Sequence, residues 1–277
     1  YLETNGMGDG IALNDSVLTA NINTVTSLDV SNDSTIADLT GIEDFSALVT
    51  LKCQGQTALS VLDVSQNTNL ETLWCYNDSY GNSVLSQLDV SQNINLKELN
   101  CRGNQLTTLD VSNNISLLSL DCSNTYGGGN TFDTLDVTQN TLLTGLNCSG
   151  TNLISLDLTQ NPALSSLDCS NNQLALLDLT QNPSLSNFQC FSNQLSNLDI
   201  SQNINITTLG CYNNQIQCIQ VWDINYANSR ENSTCWVWSA NDPCWWKDST
   251  AAWSLDCSSA FGCTDPIACN YDSIATI

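Results

Sequence analysis

Residues 164–216 read LSSLDCSNNQLALLDLTQNPSLSNFQCFSNQLSNLDISQNINITTLGCYNNQI, and two phrases alternate in them. One is L-x-x-L-x-C-x-x-N-Q, ten residues long. The other is L-x-x-L-D-(V/L/I)-(S/T)-(Q/N)-N-x-x, eleven residues long. Together they make a unit of 21, and Cys148, Cys169, Cys190 and Cys211 recur at that interval. A fixed period of this size means a stack of like units, each burying its apolar face on its neighbours, rather than a ball around one core. Within each half-unit the first, fourth and sixth residues are apolar and the residues between the last two are polar. That local period of two predicts a short strand of about three to five residues. The Asn or Gln closing each phrase sits where the chain must turn, and a stacked amide there can satisfy backbone groups buried between units.

The pattern resembles the leucine-rich repeat, L-x-x-L-x-L-x-x-N-x-L, and more narrowly the nested 21-residue (IRREKO-like) class in which both halves carry that consensus. Residues 25–221 carry the resemblance, in about fifteen half-units. It is also similar to secreted leucine-rich-repeat proteins of marine Bacteroidetes, and residues 262–277, GCTDPIACNYDSIATI, resemble the start of a GCTDPxAxNYDPxA module of such proteins. The resemblance implies a mainly β, parallel-stranded solenoid with short strands in both halves of each coil, little helix and capped ends. It also implies a secreted or cell-surface protein that acts by binding. The expected organisation is an N-terminal cap with irregular first repeats (1–50), the solenoid (51–216), a Trp-rich C-terminal cap (217–257) and the start of the Cys-containing module (258–277).

Fourteen cysteines fall into two groups. Cys53, Cys75, Cys101, Cys122, Cys148, Cys169, Cys190 and Cys211 fill an inward slot of the repeat, which reads as a buried ladder of free thiols. Neighbours would lie ~4.8 Å apart, but side chains in a parallel ladder point the same way and do not face each other. The remaining six lie in the Trp-rich end. We read Cys218–Cys257 as closing the cap and Cys235–Cys244 as an inner loop, with Cys263 and Cys269 unassigned. Disulfides imply an oxidising, extracellular setting.

The net charge is −23, from 28 acidic and 5 basic residues. Phosphate backbones and anionic membranes are repelled, so nucleic acid is excluded as a partner. No run reaches the ~18 apolar residues of a membrane span. There is no His, no G-x-S-x-G, no P-loop and no metal triad, so the chain reads as no enzyme. The chain begins at Tyr1 without Met and stops inside a motif, which reads as a trimmed polypeptide.

The two halves show different things to solvent. The outward centre of the Asp half is Asp29, Asp63, Asp89, Asp110, Asp136, Asp157, Asp178 and Asp199, each followed two residues on by Ser or Thr. This strip reads as structural, with carboxylates bonding neighbouring hydroxyls or amides. Divalent-cation bridging between subunits of a filament, sheath or layer, and ice binding, are the alternatives. The outward centre of the Cys half varies: Lys52, Trp74, Asn100, Asp121, Asn147, Asp168, Gln189 and Gly210. Two residues on come Gln54, Tyr76, Arg102, Ser123, Ser149, Ser170, Phe191 and Tyr212. Exposed aromatics beside scarce cations are the usual make-up of a recognition patch. The candidate ligand residues are therefore Lys52, Trp74, Tyr76 and Arg102 near the start, and Phe191 and Tyr212 near the end. To these we add Tyr80 and Tyr126 of two Tyr-Gly inserts, and Trp245 and Trp246 of the cap. Residues 3–15, ETNGMGDGIALND, look like a degenerate calcium loop with Glu3, Asn5, Asp9 and Asp15 as oxygen ligands, making Ca2+ the one candidate cofactor. The expected function is an extracellular adhesion scaffold that recognises a glycan or protein surface through the Cys half.

Overall fold

The computed structural model describes residues 19–31, 36–77, 85–124, 129–231 and 245–257. Ten short strands stack in parallel into one sheet. They are β1 (Ser27–Asp29), β2 (Thr50–Lys52), β3 (Thr72–Trp74), β4 (Glu98–Asn100), β5 (Ser119–Asp121), β6 (Gly145–Asn147), β7 (Ser166–Asp168), β8 (Asn187–Gln189), β10 (Thr208–Gly210) and β12 (Trp245–Trp246). A second sheet holds β9 (Leu198–Asp199), β11 (Cys218–Gln220) and β13 (Ala252–Ser254), with β11 in the middle. Among the described residues helix is confined to α1 (Thr19–Ile22), a 3-10 turn at Ile42–Asp44 and α2 (Ile224–Arg230). The chain is thus a parallel-strand solenoid with little helix, as the repeat predicts.

The period of two explains each strand. Its middle residue points inward, so Leu51, Leu73, Leu99, Leu120, Leu146, Leu167, Phe188 and Leu209 are all buried in one continuous stack. The cysteine that follows each of them is buried too, and all eight thiols are free. Two residues beyond the cysteine the backbone turns left-handed, at Gly55, Gly103, Gly150, Asn171, Ser192 and Asn213. Gly and Asn tolerate that conformation and Ser does so poorly, which accounts for the G/N preference at this slot.

Two ladders of asparagine amides run along the stack, that of the Cys half interrupted at Thr151, whose hydroxyl donates to Cys148 O. In the Cys half, Asn104, Asn130, Asn172, Asn193 and Asn214 each donate from Nδ2 to the carbonyl of their own coil's cysteine and to that of the preceding coil, at 2.9–3.1 Å. In the Asp half, Asn93, Asn114, Asn140, Asn161, Asn182 and Asn203 do the same to a Val or Leu carbonyl and an Asn carbonyl of the coil before.

The Asp half differs from expectation. A strand was expected in both halves of every coil. Among the described residues the Asp half pairs as a strand only at its C-terminal end. In the earlier coils the carbonyls of Val64, Val90, Val111, Val137, Leu158 and Leu179 accept from the next coil's Asn side chain. At the C-terminal end the backbones pair directly, with Ile200 N donating to Gln220 O at 2.9 Å.

The register also corrects one row. Asp29 was read with the Asp half, yet it lies opposite Lys52 in the ten-stranded sheet. The place it was given belongs to Asp38, whose Oδ1 accepts from Thr40 N at 2.8 Å and Thr40 Oγ1 at 2.7 Å. Asp63, Asp89, Asp110, Asp136, Asp157, Asp178 and Asp199 each accept the amide two residues on in the same way.

The C-terminal coil is closed by an aromatic plug. Trp245 is fully buried, with Trp222, Tyr226 and Trp253 rings 5.6, 5.6 and 5.4 Å from its own. Cys218 is bonded to Cys257. Asp248 accepts from the amides of Asn213 and Asn214 at 2.7 and 2.9 Å, and Asp223 caps α2 through Asn225 N and Tyr226 N. Trp245 is therefore not a displayed ligand residue. Consecutive strand residues point to opposite faces, so Trp245, opposite Leu209, enters the core, while Trp246, opposite Gly210, faces out. The proposed inner disulfide Cys235–Cys244, with Cys263 and Cys269, lies outside the described residues.

Candidate binding face of the ten-stranded sheet

Because strands pair residue for residue, the outward centres form one row. Asp29, Lys52, Trp74, Asn100, Asp121, Asn147, Asp168, Gln189, Gly210 and Trp246 lie side by side. Trp246 was not placed in this row by sequence reading, because it follows the regular array; its register on Gly210 puts it there.

The first cluster forms at β2–β4. Lys52 Nζ sits 4.2 Å from the centre of the Trp74 ring, within cation–π range. Tyr76 and Arg102 are on the next row in adjacent coils, where Asn77 N donates to Arg102 O at 2.8 Å. All four side chains are half-buried. Of the chain's five Lys and Arg, three gather at this end, and one of them, Lys97, is paired with Glu71 at 2.8 Å. In the cap, Lys247 is nearly buried and paired with Glu231 at 3.0 Å, and Arg230 lies 4.9 Å over Tyr226.

The second cluster forms at β8–β12. Phe191 and Tyr212 stack at 4.8 Å with ring planes 6° apart, and Trp246 meets Tyr212 edge-on at 5.9 Å. The Gln189 side-chain amide lies over Gly210 beside them. A Cβ there would meet the Gln189 side-chain amide and touch the Phe191 ring.

Between the clusters the sheet carries no cation. Asp121 and Asp168 flank Asn147, and each Oδ1 accepts both the amide and the hydroxyl of the serine two residues on, Ser123 and Ser170. Asn100 and Asn147 make the equivalent bond to Arg102 N and Ser149 N. Burial pushes the Asp168 carboxyl above its usual range; the Ser170 bonds oppose that and the Asp121 charge adds to it.

The Asp-half strip behaves differently. Its carboxylates at Asp63, Asp89, Asp157 and Asp178 are held below the usual range, chiefly by the amide they accept. The cysteine ladder offers no reactive thiol, since burial raises all eight. Among the described residues no group of three or more His, Cys, Asp or Glu could hold a metal ion. No described helix is long and apolar enough to cross a membrane. Tyr80, Tyr126 and the calcium candidates Glu3, Asn5, Asp9 and Asp15 lie outside the described residues.

The arrangement of coils, ladders and sheet matches solved proteins. The functional domain of InlJ from Listeria monocytogenes, described as including a cysteine ladder, is 36% identical over 74% of this chain and 46% of that one, with a TM-score of 0.63. The fold is a leucine-rich-repeat solenoid. A leucine-rich-repeat protein of Leptospira interrogans matches with 22% identity over 72% of this chain and 57% of that one, TM-score 0.56. Internalin C2 of Listeria monocytogenes matches with 17% identity over 74% and 84%, TM-score 0.52. This solenoid spans about half the length of the first two. No family model and no curated protein matches the sequence. Repeat solenoids present extended surfaces that suit binding.

Proposed function

We propose that this solenoid is an extracellular binding or adhesion scaffold whose ligand face is the outward surface of the ten-stranded sheet. One observation carries the reading. The sheet's outward row changes residue type at almost every coil and ends in two clusters of aromatics, whereas the Asp-half row is the same carboxylate in every coil up to Asp199, already bonded to its own turn. Varied, partly exposed aromatics on a rigid frame are what contact energy is concentrated in. The cap disulfide supports an oxidising setting.

The test is adhesion of the immobilised protein to extracellular-matrix proteins and to a glycan array. Trp74→Ala with Tyr212→Ala should reduce whatever binding is seen at least tenfold. Asp110→Asn with Asp157→Asn should leave it within twofold. Loss on the Asp-half variant alone would move the ligand face to the other side of the coil.

A further inference from the structure

One flank of the solenoid belongs neither to the Asp strip nor to the outward face of the sheet. It is the turn that carries each coil from its Asp-half ladder asparagine into the next strand of the ten-stranded sheet. The turn repeats coil after coil: Leu96, Leu117, Leu143, Leu164, Leu185 and Ile206 each donate their amide to the carbonyl of the asparagine three residues earlier, at 3.0–3.2 Å. Each of those asparagines donates from Nδ2 to the carbonyl of the ladder asparagine one coil before, which holds the turns in register. The two residues at the tip of each turn therefore line up in two rows. The first runs Ile94, Ile115, Thr141, Pro162, Pro183, Ile204, all exposed. The second runs Asn95, Ser116, Leu142, Ala163, Ser184, Asn205, all exposed or half-buried.

Two properties set this flank apart. Of the nine large apolar side chains that stand exposed among the described residues, five lie on it: Ile94, Ile115, Leu118, Leu142 and Ile204. Exposed apolar groups gathered in one place, rather than scattered singly, mark an interaction surface. The flank is also uncharged. Segments 113–119, 139–145, 160–166, 181–187 and 202–208 hold no Asp, Glu, Lys or Arg, in a chain with 28 acidic and 5 basic residues. Its polar side chains are already bonded within the stack. Thr144, Ser165, Ser186 and Thr207 donate their hydroxyls to the preceding coil at 3.0–3.1 Å. Asn95 and Asn205 donate their amides to Thr68 O and Pro183 O at 3.0 and 2.9 Å. Covering such groups strands few donors.

The occupant follows from the charge and from the order of the rows. At −23, two copies of this chain repel each other wherever carboxylates face carboxylates, and a flank without charge is where that repulsion is smallest. The second row is nearly a palindrome: Asn, Ser, Leu, Ala, Ser, Asn. A two-fold axis between the Thr141 and Pro162 turns, running across the solenoid, lays each row on its own reverse. Asn95 then meets Asn205, Ser116 meets Ser184 and Leu142 meets Ala163. Ile94 meets Ile204 and Ile115 meets Pro183. Amides lie on amides, hydroxyls on hydroxyls and apolar groups on apolar groups. A parallel pairing would instead set the first row on the second, Ile94 against Asn95.

We propose that two copies of this chain pair antiparallel through this flank. The six coils involved span five strand steps, ~24 Å. Two or three residues wide, the strip is smaller than the ~800 Å2 per partner of a standard interface. The dimer is therefore weak and concentration-dependent, and it tightens as salt screens the repulsion between two acidic chains. The flank contains none of the residues of the proposed ligand face, so the two readings stand or fall separately.

Sedimentation equilibrium of the whole protein from about 1 μM to about 1 mM, at low and high salt, tests the pairing. The expected result is a monomer–dimer equilibrium that strengthens with salt. Ile115→Asp with Leu142→Asp should weaken it at least tenfold. Val61→Asp with Leu176→Asp removes two exposed apolar side chains and adds the same charge away from the flank, and should leave it within twofold. A second measurement needs no charge change. Ile94→Cys protein mixed with Ile204→Cys protein should give more disulfide-linked dimer on mild oxidation than either protein alone. A monomer at every concentration, equal weakening by the control pair, or no gain in cross-linking on mixing would overturn the proposal.

Discussion

The two halves of each coil solve one problem in opposite ways. Both must satisfy backbone groups between stacked turns of chain. The Cys half does so with a backbone ladder of three-residue strands, to which its own asparagines add bonds at the cysteine carbonyls. The Asp half does so with side chains, an Asp for its own turn and a buried Asn for the coil before. Where the backbone does the bonding, the outward side chain is free to be Lys52, Trp74, Asp121 or Gly210. Where side chains do it, the same letters must recur. Monotony and variety in this sequence thus mark the division between scaffold and display.

That comparison can be broken most forcefully with alkali. Eight ladder thiols are pushed above their ordinary value of 9.0, by burial first. They stay protonated in the folded state while the unfolded chain ionises. Their contribution is fully present below pH 9 and is lost as pH rises past it, by up to ~1.4 kcal/mol per thiol per pH unit. Chemical denaturation followed across pH 7–11 should show flat stability up to about 9 and a steep fall beyond it; a flat profile to pH 11 would mean that the thiols are not sealed in.

Next in size is the amide ladder. Asn140→Ala strips the Val111 and Asn114 carbonyls of buried donors and should cost about 2–4 kcal/mol. Asn147→Ala, in the varied row of the sheet, should cost under about 1 kcal/mol. Equal losses by thermal denaturation would erase the distinction between the halves.

Smaller effects sharpen it. Ser192 holds a left-handed turn that glycine or asparagine occupies in the other coils, so Ser192→Gly should stabilise by about 0.5–1 kcal/mol. The acid side gives opposite signs for two kinds of Asp. Lowered carboxylates such as Asp89 and Asp178 contribute stability present above their ordinary value of 3.8 and lost as pH falls through the folded value. Asp168 is raised, so its charge opposes folding at neutral pH and that penalty disappears on protonation. Asp168→Asn should therefore raise the melting temperature slightly at pH 7 and leave it unchanged near pH 3.

Much of this was legible because each coil repeats its inward pattern. The buried thiols, the inward leucines and the row from Lys52 to Gly210 follow from counting by 21, with longer intervals at the inserts. Asp29 was misplaced because VTSLDVSND is spelled like an Asp-half phrase. Its distance of 34 residues from Asp63, against 25 from Asp38 to Asp63, carries the correct phase. The Trp245–Trp246 pair was taken as one platform because residues 217–257 read as loop; only strand pairing shows that neighbours in sequence face opposite ways. Peptide-backbone pairing in the Asp half was expected from its alternation, which does not reveal that the bonds between coils there come from asparagine side chains.

The coils from β4 to β5 and from β6 to β8 repeat at 21 residues, which makes the spacing of the two aromatic clusters adjustable. An in-frame duplication or loss of one 21-residue unit would shift them by one strand step, ~4.8 Å, without touching either cluster. The stack works as a ruler whose length evolution can reset by whole notches.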